Sequence, residues 1–143
     1  MGEILVAGIG SPHGADRLGW VVIDALQHAS LPAPVKLVAC SLPSELTPLL
    51  LDAPRAIVID ALLGDGPAGT IHVLRATDLT RAALRLSSHG LGLVEAVQLA
   101  SALGMPAECL WVLVLDVVHP EAEIEDAWIE GLAQRVRTML TEI

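Results

Sequence analysis

The chain has 143 residues, of which 53% are hydrophobic, and this composition favours one folded domain over a disordered chain. Eight Lys and Arg residues against seventeen Asp and Glu residues give a formal net charge of −9. Nucleic acids and anionic membrane surfaces are poor partners for so acidic a chain, and an aromatic content of 2% leaves little for base stacking. We therefore predict a single domain over residues 1–143 that binds no nucleic acid.

The amino-terminal segment MGEILVAGIG has no basic residue, unlike the start of a signal peptide. The longest apolar runs, such as 110–115, are much shorter than the roughly 20 residues of a membrane span. Cys40 and Cys109 lack the close spacing of a metal or redox motif, so we expect two buried free thiols. These features predict a cytoplasmic protein without membrane insertion.

Strand and helix patterns alternate along the first half of the chain. The apolar run ILVAGI at 4–9 predicts a buried strand, and the apolar spacing over 18–29 predicts a helix. A second strand is expected at 35–40, a short helix within 44–53 and a third strand at 55–60.

The second half of the chain predicts a mixed sheet. Only nine residues separate Asp60 from the apolar strand at 70–74, too few for a crossover helix, so this strand should run antiparallel. A helix at 89–103 with Ser88 as its N-cap, a strand at 110–118 and a last helix after the acidic stretch EAEIED follow. The predicted fold is α/β, a three-layer α/β/α sandwich around a mixed five-stranded sheet.

Three residues with possible metal-ligating side chains are expected at the carboxyl edge of the predicted sheet, where open α/β sheets bind ligands. Asp16 follows the first strand, Asp60 closes the third, and His89 opens a helix. Taken singly, Asp60 could cap a turn and His89 could be a packing or capping residue. Together, two carboxylates and one imidazole are a donor set suited to a divalent first-row metal, with coordination positions left open for water or substrate.

The glycine-rich loop after the first strand allows a second interpretation, a flavodoxin-like nucleotide-binding domain. Gly8, Gly10 and Gly14 are spaced as GxGxxxG, however, and the dinucleotide fingerprint is GxGxxG. The second strand also ends at Cys40 rather than at the acidic residue that would bind a ribose. This alternative therefore rests on the glycines alone.

Three segments, GIGSPHGADRLGW, IVIDALLGDGPAGTIHVL and SSHGLGLVEAVQLASALG, resemble the hydrogenase maturation peptidases, and the similarity covers nearly the whole chain. The resemblance implies an endopeptidase that recognises the nickel-loaded precursor of the hydrogenase large subunit and removes its C-terminal extension. It also implies that Asp16, Asp60 and His89 engage a nickel ion supplied by that precursor. An aspartic-protease dyad of Asp16 and Asp60 is a further possibility, but it would leave His89 without a role.

The first motif departs from the family pattern at three positions. Ser11 replaces an asparagine, Ala15 an acidic residue and Arg17 a glycine. The guanidinium of Arg17 could pair with the neighbouring Asp16 carboxylate and compete with metal, contact the carboxylate of a substrate peptide, or point into solvent. For this reason a non-catalytic nickel-centre chaperone that docks on the same precursor stays open as an alternative.

Overall fold

The computed structural model describes residues 2–83, 85–86 and 90–143. Ten named strands and helices follow one another within these ranges. They are β1 (Ile4–Ile9), α1 (Leu18–Gln27), β2 (Val35–Cys40), α2 (Leu46–Asp52), β3 (Ala56–Leu62), β4 (Ile71–Leu74), α3 (Leu79–Ala82), α4 (Gly90–Ala102), β5 (Leu110–Asp116) and α5 (Asp126–Glu142). A short 3₁₀ turn, Gly14–Arg17, leads directly into α1.

The strands form one five-stranded sheet in the order β2-β1-β3-β5-β4. All neighbouring pairs are parallel except β4 and β5, which run antiparallel with Ile71 opposite Leu115. The predicted antiparallel strand is thereby confirmed. The sheet ends on one side at β2, which carries the exposed Lys36, and on the other at β4, which is four residues long.

Helices cover both faces of the sheet, as predicted. Along β3, Ile57 and Ile59 face a core shared with α1 and α5, whereas Val58 and Leu62 face a core shared with α2 and α4. This alternation is the period of two that a strand buried on both faces requires. Within the described ranges, no helix is long and apolar enough to cross a membrane.

Several element bounds differ from the sequence prediction. The third strand does not close at Asp60 but continues to Leu62, because Asp60 stays in register with Val114 of β5. The last strand ends at Asp116 instead of residue 118, since Val118 has a φ of 65° and cannot extend a strand.

The structure also bears on other predicted features. The short helix α3 was not predicted, and α1 ends at Gln27 rather than at residue 29. The predicted N-cap, Ser88, lies outside the described residues. Both cysteines are free thiols, as expected, but Cys109 is only half-buried and lies in a 3₁₀ turn before β5.

Two glycines allow α1 to begin close to the sheet. A Cβ on Gly8 of β1 would collide with the backbone of Gly19 in α1, and a Cβ on Gly19 would collide with the carbonyl of Ile9. The helix therefore packs backbone against backbone on β1. This contact places the turn that precedes α1 at the carboxyl edge of the sheet.

Candidate functional site

A cleft of about 530 Å³ opens at the carboxyl edge of β1, β3 and β5. Ser11 and Asp16 line it from the loop after β1, Ala61 from β3, Leu63 from directly after β3, and Val117 from the segment after β5. The wall is mostly apolar. Its position agrees with the general rule that ligands bind beyond the carboxyl ends of strands in open α/β sheets.

Asp16 is the predicted site residue that lines this cleft directly. It lies half-buried in the 3₁₀ turn before α1, and the Ser11 hydroxyl donates a hydrogen bond of 2.6 Å to its Oδ2. The backbone N–H of Ser11 also donates to the Asp16 carbonyl, at 3.1 Å. The same short loop thus holds both the backbone and the carboxylate of Asp16.

The loop that carries Asp16 is fastened to the segment after β5. The N–H of Ala15 donates to the Pro120 carbonyl at 2.9 Å. Gly14 has a φ of 52°, and a Cβ at this position would collide with the same carbonyl. Glycine is therefore required here both by the left-handed conformation and by the close approach.

Asp60 is buried in β3, next to the cleft-lining residue Ala61. Its side chain is fully buried, and its Oδ1 accepts a hydrogen bond of 2.8 Å from the N–H of Ala61. Its neighbour Ile59 pairs with Gly8 of β1, the strand that leads to Asp16. The structure therefore brings Asp16 and Asp60 to the same edge of the sheet from adjacent strands.

The third predicted residue, His89, lies outside the described residues. The described residues nearest to it in the chain, Leu86 and Gly90, both line the cleft. Leu86 also forms an antiparallel bridge with Leu62, two residues after Asp60. Among the side chains that the structure describes, no group of three or more His, Cys, Asp or Glu is arranged to hold a metal ion. The predicted three-residue site is therefore not tested as a set.

Of the possibilities for Arg17, the structure shows a solvent-facing side chain rather than an ion pair with Asp16. The Arg17 side chain is exposed, and its Nε donates to the carbonyl of Gly14 at 3.1 Å. None of the ion pairs within the described ranges joins it to Asp16. Because consecutive residues of a 3₁₀ turn point about a third of a turn apart, the two side chains diverge although they are adjacent in sequence.

Sequence analysis missed a second buried aspartate, Asp116, at the end of β5. It is 1% exposed, and its Oδ1 accepts hydrogen bonds from the N–H groups of Gly64 and Val118. The signal was available, since Asp116 interrupts an apolar run as Asp60 does. Because the predicted strand extended to residue 118, Asp116 lay inside it and was not recognised as a residue at the strand end.

The family model of the hydrogenase maturation proteases matches residues 21–142 of this chain. The chain belongs to the hydrogenase maturation protease family. The match includes β3, the segment that follows it and the whole of α4 and β5, and so confirms the resemblance carried by the second and third motifs. The first motif, at 8–20, precedes the matched range. The match also favours the peptidase interpretation over the nucleotide-binding one. A search of curated proteins found no match to the chain.

Solved structures of peptidases share the fold. The hydrogenase maturating endopeptidase HybD from E. coli is 22% identical, with 99% of this chain and 93% of that chain covered and a TM-score of 0.79. An endopeptidase from Escherichia coli solved in solution has the same identity and coverage and a TM-score of 0.82. The hydrogenase maturation protease HycI from Thermococcus kodakarensis is 18% identical over 98% of this chain and 90% of that chain, with a TM-score of 0.66.

Proposed function

We propose that this protease recognises the nickel-loaded precursor of a hydrogenase large subunit and removes its C-terminal extension. Family membership supplies the reaction class. The observation that carries the proposal is the cleft at the carboxyl edge of the sheet, where Asp16 lines an apolar wall and Asp60 is buried next to the cleft-lining Ala61. A protein substrate can bring both a metal centre and a peptide segment to such an open cleft.

The proposed metal-recognition set is Asp16, Asp60 and His89. Two carboxylates and one imidazole suit a divalent first-row ion, and three protein ligands leave positions for ligands that the precursor itself supplies. The hydrogen bond from Ser11 supports this role, because it holds the Asp16 carboxylate in one orientation before a metal arrives. Nickel is in this proposal part of the substrate and not a resident cofactor.

Recognition of the metal would make cleavage depend on completed nickel loading. A nickel ion beside the scissile bond supplies Lewis-acid chemistry toward a carbonyl or a water molecule, so no Ser or Cys nucleophile is required. The chain's own contribution is to orient the peptide along the apolar wall formed by Leu63, Leu91 and Val117 and to shield the bond from bulk water.

The test is a cleavage assay with purified precursor in nickel-loaded and nickel-free forms, read by the mass of the product. We expect cleavage of the loaded form alone, and a loss of at least about a hundredfold in rate for Asp16→Asn, Asp60→Asn and His89→Ala. Thermal unfolding of each variant serves as the control for folding, above all for Asp60, whose side chain is fully buried. Equal cleavage of nickel-free precursor, or full activity of His89→Ala, would contradict the proposal.

The same assay separates the non-catalytic chaperone that the sequence left open. A chaperone would bind the loaded precursor and leave its mass unchanged. The chaperone hypothesis depended on an ion pair between Arg17 and Asp16. In the structure, the Arg17 side chain donates to the Gly14 carbonyl instead. The geometry therefore favours the peptidase.

A further inference from the structure

The carboxylate of Asp116 links two segments that border the cleft. Its Oδ1 accepts a hydrogen bond of 2.9 Å from the N–H of Val118, in the segment after β5. The same oxygen accepts a hydrogen bond of 3.1 Å from the N–H of Gly64, in the segment after β3. The side chain is 1% exposed, so these bonds are shielded from competing water.

The segment after β5 is strained at the residue that Asp116 holds. Val118 has a φ of 65°, and the N–H of His119 donates to the Val117 carbonyl at 2.7 Å. Together these features describe a γ-turn with positive φ, the rarer and strained form of this turn. A β-branched residue adopts this conformation only where its surroundings enforce it.

The strained turn leads directly to the residues that shape the cleft. Val117, the first residue of the turn, lines the cleft, and so does Pro120, which directly follows it. The Pro120 carbonyl accepts the hydrogen bond from Ala15, the residue before Asp16. A continuous set of bonds therefore runs from the Asp116 carboxylate through the turn to the loop that presents Asp16.

The contact between Asp116 and Gly64 also depends on the residue type at position 64. A Cβ on Gly64 would lie 2.6 Å from Oδ2 of Asp116, so only glycine leaves room for the carboxylate at this point. The residue before it, Leu63, lines the cleft, and its N–H donates to the Arg85 carbonyl at 2.5 Å. Asp116 thus joins the residues that follow two cleft-lining side chains, Leu63 and Val117, through its hydrogen bonds to Gly64 and Val118.

We propose that Asp116 is a positioning residue of this protease: it holds the γ-turn and the segment after β3 so that the cleft walls and the Asp16 loop keep their relative placement. Its effect on catalysis rests on the proposed function. Its effect on the Asp16 loop does not, because that effect concerns hydrogen bonds within the chain itself.

The first test is amide hydrogen exchange at Ala15, Gly64 and Val118, compared between the wild type and Asp116→Ala. We expect protection of all three amides to fall by about tenfold or more, although Ala15 does not contact Asp116. Asp116→Asn keeps an acceptor oxygen at Oδ1 and should retain protection. If Asp116→Ala does not fold, Asp116→Ser serves instead, because its hydroxyl is too short to reach both amides.

A double variant separates positioning from a general loss of stability. In Asp116→Ala/Val118→Gly the turn no longer needs to be enforced, since glycine adopts positive φ without steric cost. Protection of Ala15 should then recover while that of Gly64 stays low. The matched control is Thr47→Val, which removes a buried hydrogen bond of 3.0 Å to the Ala96 carbonyl in the α2–α4 layer and should leave Ala15 protected.

The second test is precursor cleavage with the same variants. Asp116→Ala should lower kcat by about tenfold to a hundredfold with a smaller change in KM, the effect expected when catalytic groups are displaced by about 1 Å. If the wild type does not cleave the precursor, the proposed function fails and hydrogen exchange still decides the role of Asp116. Unchanged Ala15 protection in Asp116→Ala, or an equal loss in Thr47→Val, would overturn the inference.

Discussion

Replacing Gly19 by alanine tests whether backbone contact between α1 and the sheet sets the position of the cleft loop. The added Cβ would collide with the Ile9 carbonyl, and it would lie 2.9 Å from the Ile9 nitrogen and 3.0 Å from the Ile59 carbonyl. All three atoms belong to the backbones of β1 and β3. Since no side-chain rotation can relieve these contacts, the helix itself must move.

The size of the effect follows from two opposing contributions. Overpacking of a core costs about 1–3 kcal/mol, and contacts with rigid strands place this case near the upper limit. Alanine in a helix gains about 1 kcal/mol over glycine. The net loss is therefore about 2 kcal/mol. Unfolding of 143 residues has an entropy of about 0.3 kcal/mol/K, so the melting temperature should fall by about 7 °C.

Gly131 provides the matched control for this experiment. It also lies in a helix, α5, but a Cβ at this position would be 3.6 Å from the Ile71 side chain, an ordinary van der Waals distance. Gly131→Ala should therefore gain helix propensity alone and melt about 3 °C higher. Scanning calorimetry of both variants measures the two shifts. A Gly19→Ala protein that melts as high as Gly131→Ala would refute the packing argument.

Two other predictions concern Arg17 and Cys40. Arg17→Gly should change nickel affinity, measured by titration calorimetry, by less than about threefold, because the exposed guanidinium contacts Gly14 rather than Asp16; a hundredfold gain would restore the ion-pair hypothesis. Burial, with a smaller effect of Glu45, raises the pKa of the Cys40 thiol from 9.0 to about 11. The protonated thiol therefore contributes to the free energy of unfolding fully below pH 9, and this contribution is lost as the pH rises toward 11. Urea unfolding of the wild type and Cys40→Ala should show their difference in stability shrinking over this range by at most about 1.4 kcal/mol per pH unit, and a constant difference would contradict the assignment.

The sheet topology was predictable because the length of the connection between two strands limits how they can run relative to each other. The nine residues after Asp60 cannot contain a crossover helix, and β4 is accordingly antiparallel to β5. The end of β3 was not predictable in the same way. A buried carboxylate looks like a strand terminus in the hydropathy pattern, but Asp60 remains in the ladder and accepts a hydrogen bond from Ala61.

The segment after β5 shows a second limit of sequence analysis. Val117 and Val118 continue the apolar pattern of the strand, and hydropathy carries no information on the sign of φ. The role of Asp116 depends on that turn, so it could not be inferred without coordinates. Asp16 was expected at the carboxyl edge of the sheet because its loop follows a parallel strand, and it lines the cleft there. The convergence of Asp16 and Asp60 with His89 stays a prediction.

The two outer strands of the sheet also influence how molecules of this protein meet one another. An exposed strand edge can pair with a second chain and start aggregation, a hazard that grows with apolar content. Here β2 carries the exposed charge of Lys36, and β4 offers only four residues for pairing. A sequence that is 53% hydrophobic thus presents neither outer strand as a long, uncharged template for intermolecular sheet growth.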